Sequence, residues 1–169
     1  GHRRIAYIGS TLKISTGRAR LDGFRRTLDE AGIAVDEGLI RSGSSDAELG
    51  YSAMDSLLAS GAKPTAVVTA GARICVGAYD CIRQRGIDVP GEMSFVGFSD
   101  GPMLRWCGPG ITTLSLPVRD LPLATTDHLF RKLGAARRRS EAPCRVMLLS
   151  TLVKRNSTDA PPPLHRAVV

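Results

Sequence analysis

Several patterns that would give a quick answer are missing. No stretch reaches the ~18 consecutive apolar residues that a membrane-spanning helix needs, so no membrane partner is expected. Gly1-His2-Arg3-Arg4 leads into only a short apolar run, so no secretion signal is expected in this chain. The 4 cysteines, Cys75, Cys81, Cys107 and Cys144, form no C-x-x-C pair, which removes the usual zinc and dithiol readings. Cys75 and Cys144 lie in apolar stretches and read as small core residues. Cysteines without a disulfide framework fit a reducing cytoplasm. The 3 histidines, His2, His128 and His165, are too scattered to propose a metal site. No G-x-G-x-x-G and no Walker loop occurs, so no nucleotide cofactor is implied.

What is present is an ordinary globular balance. The 169 residues, 43% of them hydrophobic, suit one domain or two small lobes. A chain of this size buries roughly 70% of its unfolded surface and needs no metal or disulfide staple. Lys and Arg number 23 against 16 Asp and Glu, a net charge of +7. The excess is mostly scattered. Its sharpest cluster, Arg137-Arg138-Arg139, reads first as a solvated loop and second as a contact for a charged partner.

Strand and helix signals alternate along the chain. Ile5 to Gly9 is a short apolar run, as a buried strand would be. A helix is predicted from about Gly17 to Ala31, with Leu21, Phe24 and Leu28 on one face and Gly32 in the stop position. Gly38 to Ile40 is a weaker strand. Asp46 can cap a second helix whose inner face holds Leu49, Ala53 and Leu57. Thr65 to Thr69 is the clearest strand, being β-branched. A helix from about Arg73 to Arg85 and a strand from Met93 to Phe98 follow. This order predicts right-handed βαβ units and a parallel sheet flanked by helices. Ligands on such sheets bind beyond the carboxyl ends of the strands. Further on, Ile111 to Leu114 reads as a strand, Asp120 to Leu133 as a helix with Pro122 in its first turn, and Arg145–Leu149 and Thr151–Val153 as two last strands. Pro161-Pro162-Pro163 marks a tail expected to be disordered.

Several stretches together resemble the LacI/GalR family of transcription regulators. They include Arg20-Leu21-Asp22-Gly23-Phe24, Ala31-Gly32-Ile33, Lys63-Pro64-Thr65-Ala66-Val67 and Gly86-Ile87-Asp88-Val89-Pro90. Ser94-Phe95-Val96-Gly97-Phe98, Pro109-Gly110-Ile111-Thr112-Thr113 and Leu152-Val153-Lys154-Arg155-Asn156-Ser157-Thr158 complete the set. The resemblance implies a type I periplasmic-binding-protein-like fold, in which two α/β lobes close on a small molecule such as a sugar or related metabolite. On that basis residues 1–108 would form most of the C-terminal lobe and 109–136 an excursion into the N-terminal lobe. Residues 137–158 would return, and 159–169 would be the tail. The first part of the N-terminal lobe and the helix-turn-helix head would be absent from this incomplete two-lobe domain. Operator DNA would be bound only through that absent head, and the molecule would be a homodimer. The helix around Tyr79 and the segment near Trp106 would form part of the dimer surface.

The resemblance also proposes a pocket. Arg20 falls at the family's ligand-contacting arginine, whose guanidinium fork can hold two hydroxyls or a carboxylate. Thr16 falls at another contact position, with an N-cap as its alternative role. After the Thr65–Thr69 strand the family usually carries Asn-Asp, where this chain has Gly71-Ala72. After Phe98 it usually carries Asp followed by Asp or Asn, where this chain has Ser99-Asp100. Ser45 stands where an aromatic often stacks on the ligand. Three polar or stacking contacts are thus smaller or missing. The ligand is therefore expected to be larger or less hydroxyl-rich than a simple hexose, or the response to have been lost.

Rival readings exist. A periplasmic sugar-binding protein would share the fold, but the Leu152–Thr158 stretch favours the regulator. Gly97-Phe98-Ser99-Asp100-Gly101 fits the G-x-S-x-G elbow of a serine hydrolase. Neither His128 nor His165 is well placed to serve Ser99 as a base, so no catalytic residue is assigned. Ser10-Thr11-Leu12-Lys13 fits S-x-x-K without its companion motifs.

Overall fold

A computed structural model describes residues 1–134 and 145–162. The Arg137–Arg139 run, Cys144 and residues 163–169 lie outside the described residues. The elements alternate as the pattern predicts. Strand β1 (Ile5–Ser10) leads into helix α1 (Ser15–Glu30), and a short 3-10 turn (Glu37–Leu39) leads into β2 (Ile40–Gly43). Helix α2 (Ala47–Ala59), β3 (Ala66–Thr69), α3 (Ala72–Gln84) and β4 (Ser94–Phe98) follow. After these come the single turn α4 (Met103–Trp106), β5 (Thr112–Ser115), α5 (Asp120–Gly134) and β6 (Thr151–Val153). The sheet order is β2-β1-β3-β4-β5-β6. The first five strands are parallel, and β6 runs antiparallel to β5.

The core forms on both faces of this sheet because successive strand residues point to opposite sides. Ala6 and Ile8 of β1, Val67 and Phe95 pack against Met54, Leu57, Ile74, Ala78 and Ile82 of α2 and α3. Tyr7 points the other way and meets Leu21 and Phe24 of α1. Phe95, Ile8, Met54 and Leu57 are fully buried, and each contributes about 1.5–3 kcal/mol by leaving water. The predicted inner faces of α1 and α2 are the ones buried, and Gly32, just past α1, has φ +64.

Helices α2 and α3 cross unusually close. A Cβ on Gly50 would come within 2.2 Å of the Ile74 carbonyl oxygen, and one on Gly77 within 1.8 Å of that of Ala47. Only glycine lets the two backbones touch there.

Three sequence expectations are corrected. The strand expected at Gly38–Ile40 begins only at Ile40, because Asp36 accepts the Gly38 N–H and winds Glu37–Leu39 into a 3-10 turn. The strand expected at Arg145–Leu149 does not form: the segment pairs with no strand among the described residues, and Val146, Met147 and Leu149 are exposed. The expected Thr151–Val153 strand does form, and it runs antiparallel to β5. Thr16 is not an N-cap, since the capping position is Ile14, which makes no side-chain bond, and Thr16 is the second residue of α1.

Residues after β6 are tied back into the sheet. Ser157 is fully buried; its Oγ donates to the Phe95 carbonyl at 2.6 Å and accepts the Thr112 N–H at 2.8 Å. The Asp159 N–H donates to Ser94 Oγ at 3.0 Å, and His2 Nε2 lies 2.9 Å from the Asp159 carbonyl.

Candidate functional site: the carboxyl edge of the sheet

The parallel strands β1, β2, β3 and β4 all end on one edge, where the loops before α1, α2, α3 and α4 lie side by side. All six residues singled out from the sequence sit on this edge. Thr16 is exposed in the first turn of α1, and Arg20 follows one turn later on the same face. Ser45 is exposed in the loop before α2. Gly71 holds the N-cap position of α3, and Ser99 and Asp100 follow β4.

Arg20 draws the edge together. Its Nη1 donates to the Ala70 carbonyl at 2.9 Å, beside Gly71. Its guanidinium carbon stands 4.2 Å from the centroid of the Phe98 ring, beside Ser99. A cation over an aromatic face is held by the ring's quadrupole and worth about 1 kcal/mol when partly shielded from water. So Arg20, Gly71 and Ser99 converge, through contacts that span three elements. Tyr7 Oη and Ser10 Oγ, both on β1, are buried and without a hydrogen-bond partner. Burial pushes the Tyr7 hydroxyl above its ordinary value, with the charge of Arg20 opposing.

Asp100 takes a different role. Its side chain is only 11% exposed and its Oδ1 lies 2.6 Å from Nη2 of Arg155. Thr113 Oγ1 donates to the same oxygen at 3.0 Å, and Arg105 Nη2 stands 3.7 Å from Oδ2. Burial alone would raise this carboxyl, but the Arg155 and Thr113 hydrogen bonds and the two arginine charges hold it below its ordinary value. The carboxylate therefore ties the loop after β4 to β5 and to the returning segment. Sequence reasoning missed Arg155, Thr113 and Phe98 as partners, because they lie far along the chain from the residues they touch.

Asp46, next to Ser45, is likewise engaged by its own protein. It caps α2 by accepting the Leu49 N–H at 2.8 Å. That bond, then one from the Ser44 side chain, holds its carboxyl below the ordinary value; slight desolvation opposes and the Arg73 charge assists.

Ser99 has φ +73, and its N–H donates to the Leu114 carbonyl at 2.9 Å. A strained serine after a strand is what a hydrolase elbow needs, but among the described residues no histidine is hydrogen-bonded to Ser99. His2 is bonded to Thr65 and Ser94 at the opposite end of β4, about 16 Å away for a strand of this length. Burial pushes the Cys75 thiol up to about 11, so it stays protonated and inert at neutral pH. Among the described residues no cluster of His, Cys, Asp and Glu could hold a metal, and no helix is long and apolar enough to cross a membrane.

A second surface lies beside α3 and α4. It is a groove of about 470 Å3 lined by Tyr51, Tyr79, Arg83, Leu104, Trp106 and Cys107. Trp106 is 85% exposed on its rim. The Tyr79 and Trp106 regions expected at a dimer surface are thus neighbours.

Comparison with known proteins agrees with this geometry. The family model described as a periplasmic binding protein-like domain matches residues 1–158. The chain is 35% identical to the HTH-type transcriptional regulator GalR of Escherichia coli (strain K12), over 95% of this chain and 46% of that protein. It is 34% identical to the ribose operon repressor of Haemophilus influenzae, over 79% of this chain and 40% of that protein. The chain thus spans less than half the length of these relatives. It also superposes on the lac repressor dimer solved with operator and the anti-inducer ONPF, with a TM-score of 0.82 and 28% identity, covering 94% of this chain and 53% of that one.

Proposed function

The chain belongs to the periplasmic binding protein-like domain family, in its LacI/GalR branch, and from this membership we propose that it is the effector-sensing and dimerisation part of a DNA-binding transcription regulator. The observation that carries the proposal is Arg20, laid on Phe98 and bonded to Ala70 at the edge where such sheets take ligands. On this reading residues 1–108 are most of one lobe, 109–136 reach into the other and 137–158 return. A small molecule closes the lobes, and the protein acts without catalysis, in the cytoplasm. The groove beside Tyr79 and Trp106 receives a second copy, and a separate head reads the operator. Ligand and DNA then alter each other's affinity by the same factor, because the coupling between two sites is reciprocal.

The direct test is the coding sequence upstream of Gly1, followed by operator binding. A helix-turn-helix head and first lobe, with operator affinity that responds to a metabolite extract, are expected. A secretion signal in place of the head would sink the regulator reading and favour a periplasmic sugar-binding protein.

A further inference from the structure

We propose that the small molecule received at the carboxyl edge is an anion, carrying a carboxylate or a phosphate, and that Arg20 and Arg73 select it. The proposal rests on the effector-sensing reading and deepens it.

The edge carries cations that no carboxylate of the described residues pairs with at ion-pair distance, although Arg73 stands near enough to Asp46 for its charge to be felt there. Lys13, Arg18 and Arg20 come from the loop and first turns after β1, and Arg73 from the first turn of α3. Among the described residues none of these four has a carboxylate oxygen within 4.0 Å. The nearby carboxylates are already engaged or outnumbered. Asp100 is held by Arg155, Thr113 and Arg105, and Asp46 by the start of its own helix. Glu48 is exposed in the first turn of α2, and Asp22 is exposed on α1 four residues after Arg18. The positions where the family resemblance leads one to expect Asn-Asp and a first Asp hold Gly71-Ala72 and Ser99, which carry no charge.

Closure decides which ligand such an edge accepts. Lobes that close over a neutral polyol would shut cations away from water with no counterion, which is costly. The same closure over an anion strengthens each attraction, because the local dielectric falls. Arg20 donates one Nη to Ala70 and is stacked on Phe98, so its plane is fixed while other N–H groups remain unspent. A fixed guanidinium with paired donors suits a carboxylate or a phosphate. Ser10 Oγ, buried and unpartnered at the end of β1, is a further donor at that strand terminus.

The test uses the full-length protein that contains this chain. Thermal midpoints and calorimetric titrations would be recorded at constant ionic strength with glucose, glucose 6-phosphate, glucuronate and inorganic phosphate. Inorganic phosphate and at least one charged sugar are expected to bind and stabilise, each at least about tenfold more tightly than glucose. The binding should weaken as salt rises. Preference for phosphate over glucuronate, or the reverse, tells which anion the site takes. The double variant Arg20→Gln/Arg73→Gln should lose the preference, and Arg20→Lys/Arg73→Lys should keep part of it, so a folding defect is separable from lost charge. Arg26→Gln, in a surface pair with Glu30, should respond like the parent. Three results overturn the proposal: glucose binding as tightly as the charged sugars, no anion binding at all, or an anion preference that survives the double glutamine variant. Operator affinity that responds to a neutral metabolite but to no anion would sink the charge class and leave the sensing role standing. Loss of the sensing role itself would appear in the upstream coding sequence.

Discussion

At the scale of single residues, two side chains make measurable claims. Asp100 has its carboxyl depressed by Arg155, Thr113 and Arg105, so the folded state favours the ionised form. Its contribution is complete above the unfolded carboxylate value of about 3.9 and fades as pH falls through the lower folded value. Asp100→Asn should therefore cost about 2 kcal/mol at neutral pH, the scale of a hydrogen bond to a charged group. The gap to the parent should narrow in strong acid, as read by urea midpoints across pH. A gap independent of pH would mean that the carboxylate's charge is not what matters. Ser99 sits at φ +73, where a side chain is strained by about 1 kcal/mol. Ser99→Gly should raise stability by about that amount in the same denaturation assay; no gain would show that the strain is offset by contacts of the Ser99 side chain. The residue scale is also where sequence reading reached least far. It singled out Arg20 through its motif, and Arg20 lies at the carboxyl edge of the sheet. It could not show that Arg20 lies on Phe98 or that Arg155 closes on Asp100, because no periodicity links such distant positions.

At the scale of elements, the sequence was far more legible. β1, β3 and β4 were readable because buried parallel strands are continuous apolar runs, and α1 and α2 because their inner faces repeat at helical spacing. The failures have physical causes. Val146 to Leu149 has strand-like composition, but composition supplies no partner strand, and none is paired to it among the described residues. The start of α1 was placed late because Ile14, at its cap, has no side chain that could signal a boundary. Two substitutions check the packing. Phe95→Ala should cost about 4 kcal/mol in urea unfolding, as a fully buried aromatic truncated to a cavity. Gly77→Ala should cost about 2 kcal/mol despite the better helix propensity of alanine, because its Cβ meets the Ala47 carbonyl. A stabilising Gly77→Ala would mean that α2 and α3 can part without penalty.

At the scale of the whole molecule, the uneven distribution of apolar surface dominates. Helix α5 exposes Leu121, Leu123, Leu129, Phe130 and Leu133, with Leu123 70% and Phe130 67% exposed. Large apolar side chains left in water in this number drive association. The 169-residue chain alone should self-associate in light scattering and bind a hydrophobic dye. Leu123→Glu with Phe130→Glu should reduce both; unchanged behaviour would place the sticky surface elsewhere, for instance at the Trp106 groove. One feature also joins the two surfaces described above. Helices α2 and α3 touch backbone to backbone at Gly50 and Gly77, with no side chain between them to act as a bearing. Asp46 at the cap of α2 and Arg73 in the first turn of α3 lie at the carboxyl edge of the sheet, while the flanks carry Tyr51 and Tyr79 at the groove. With no side chain between them to compress, a displacement of either helix toward the other has to be taken up by the pair as a whole.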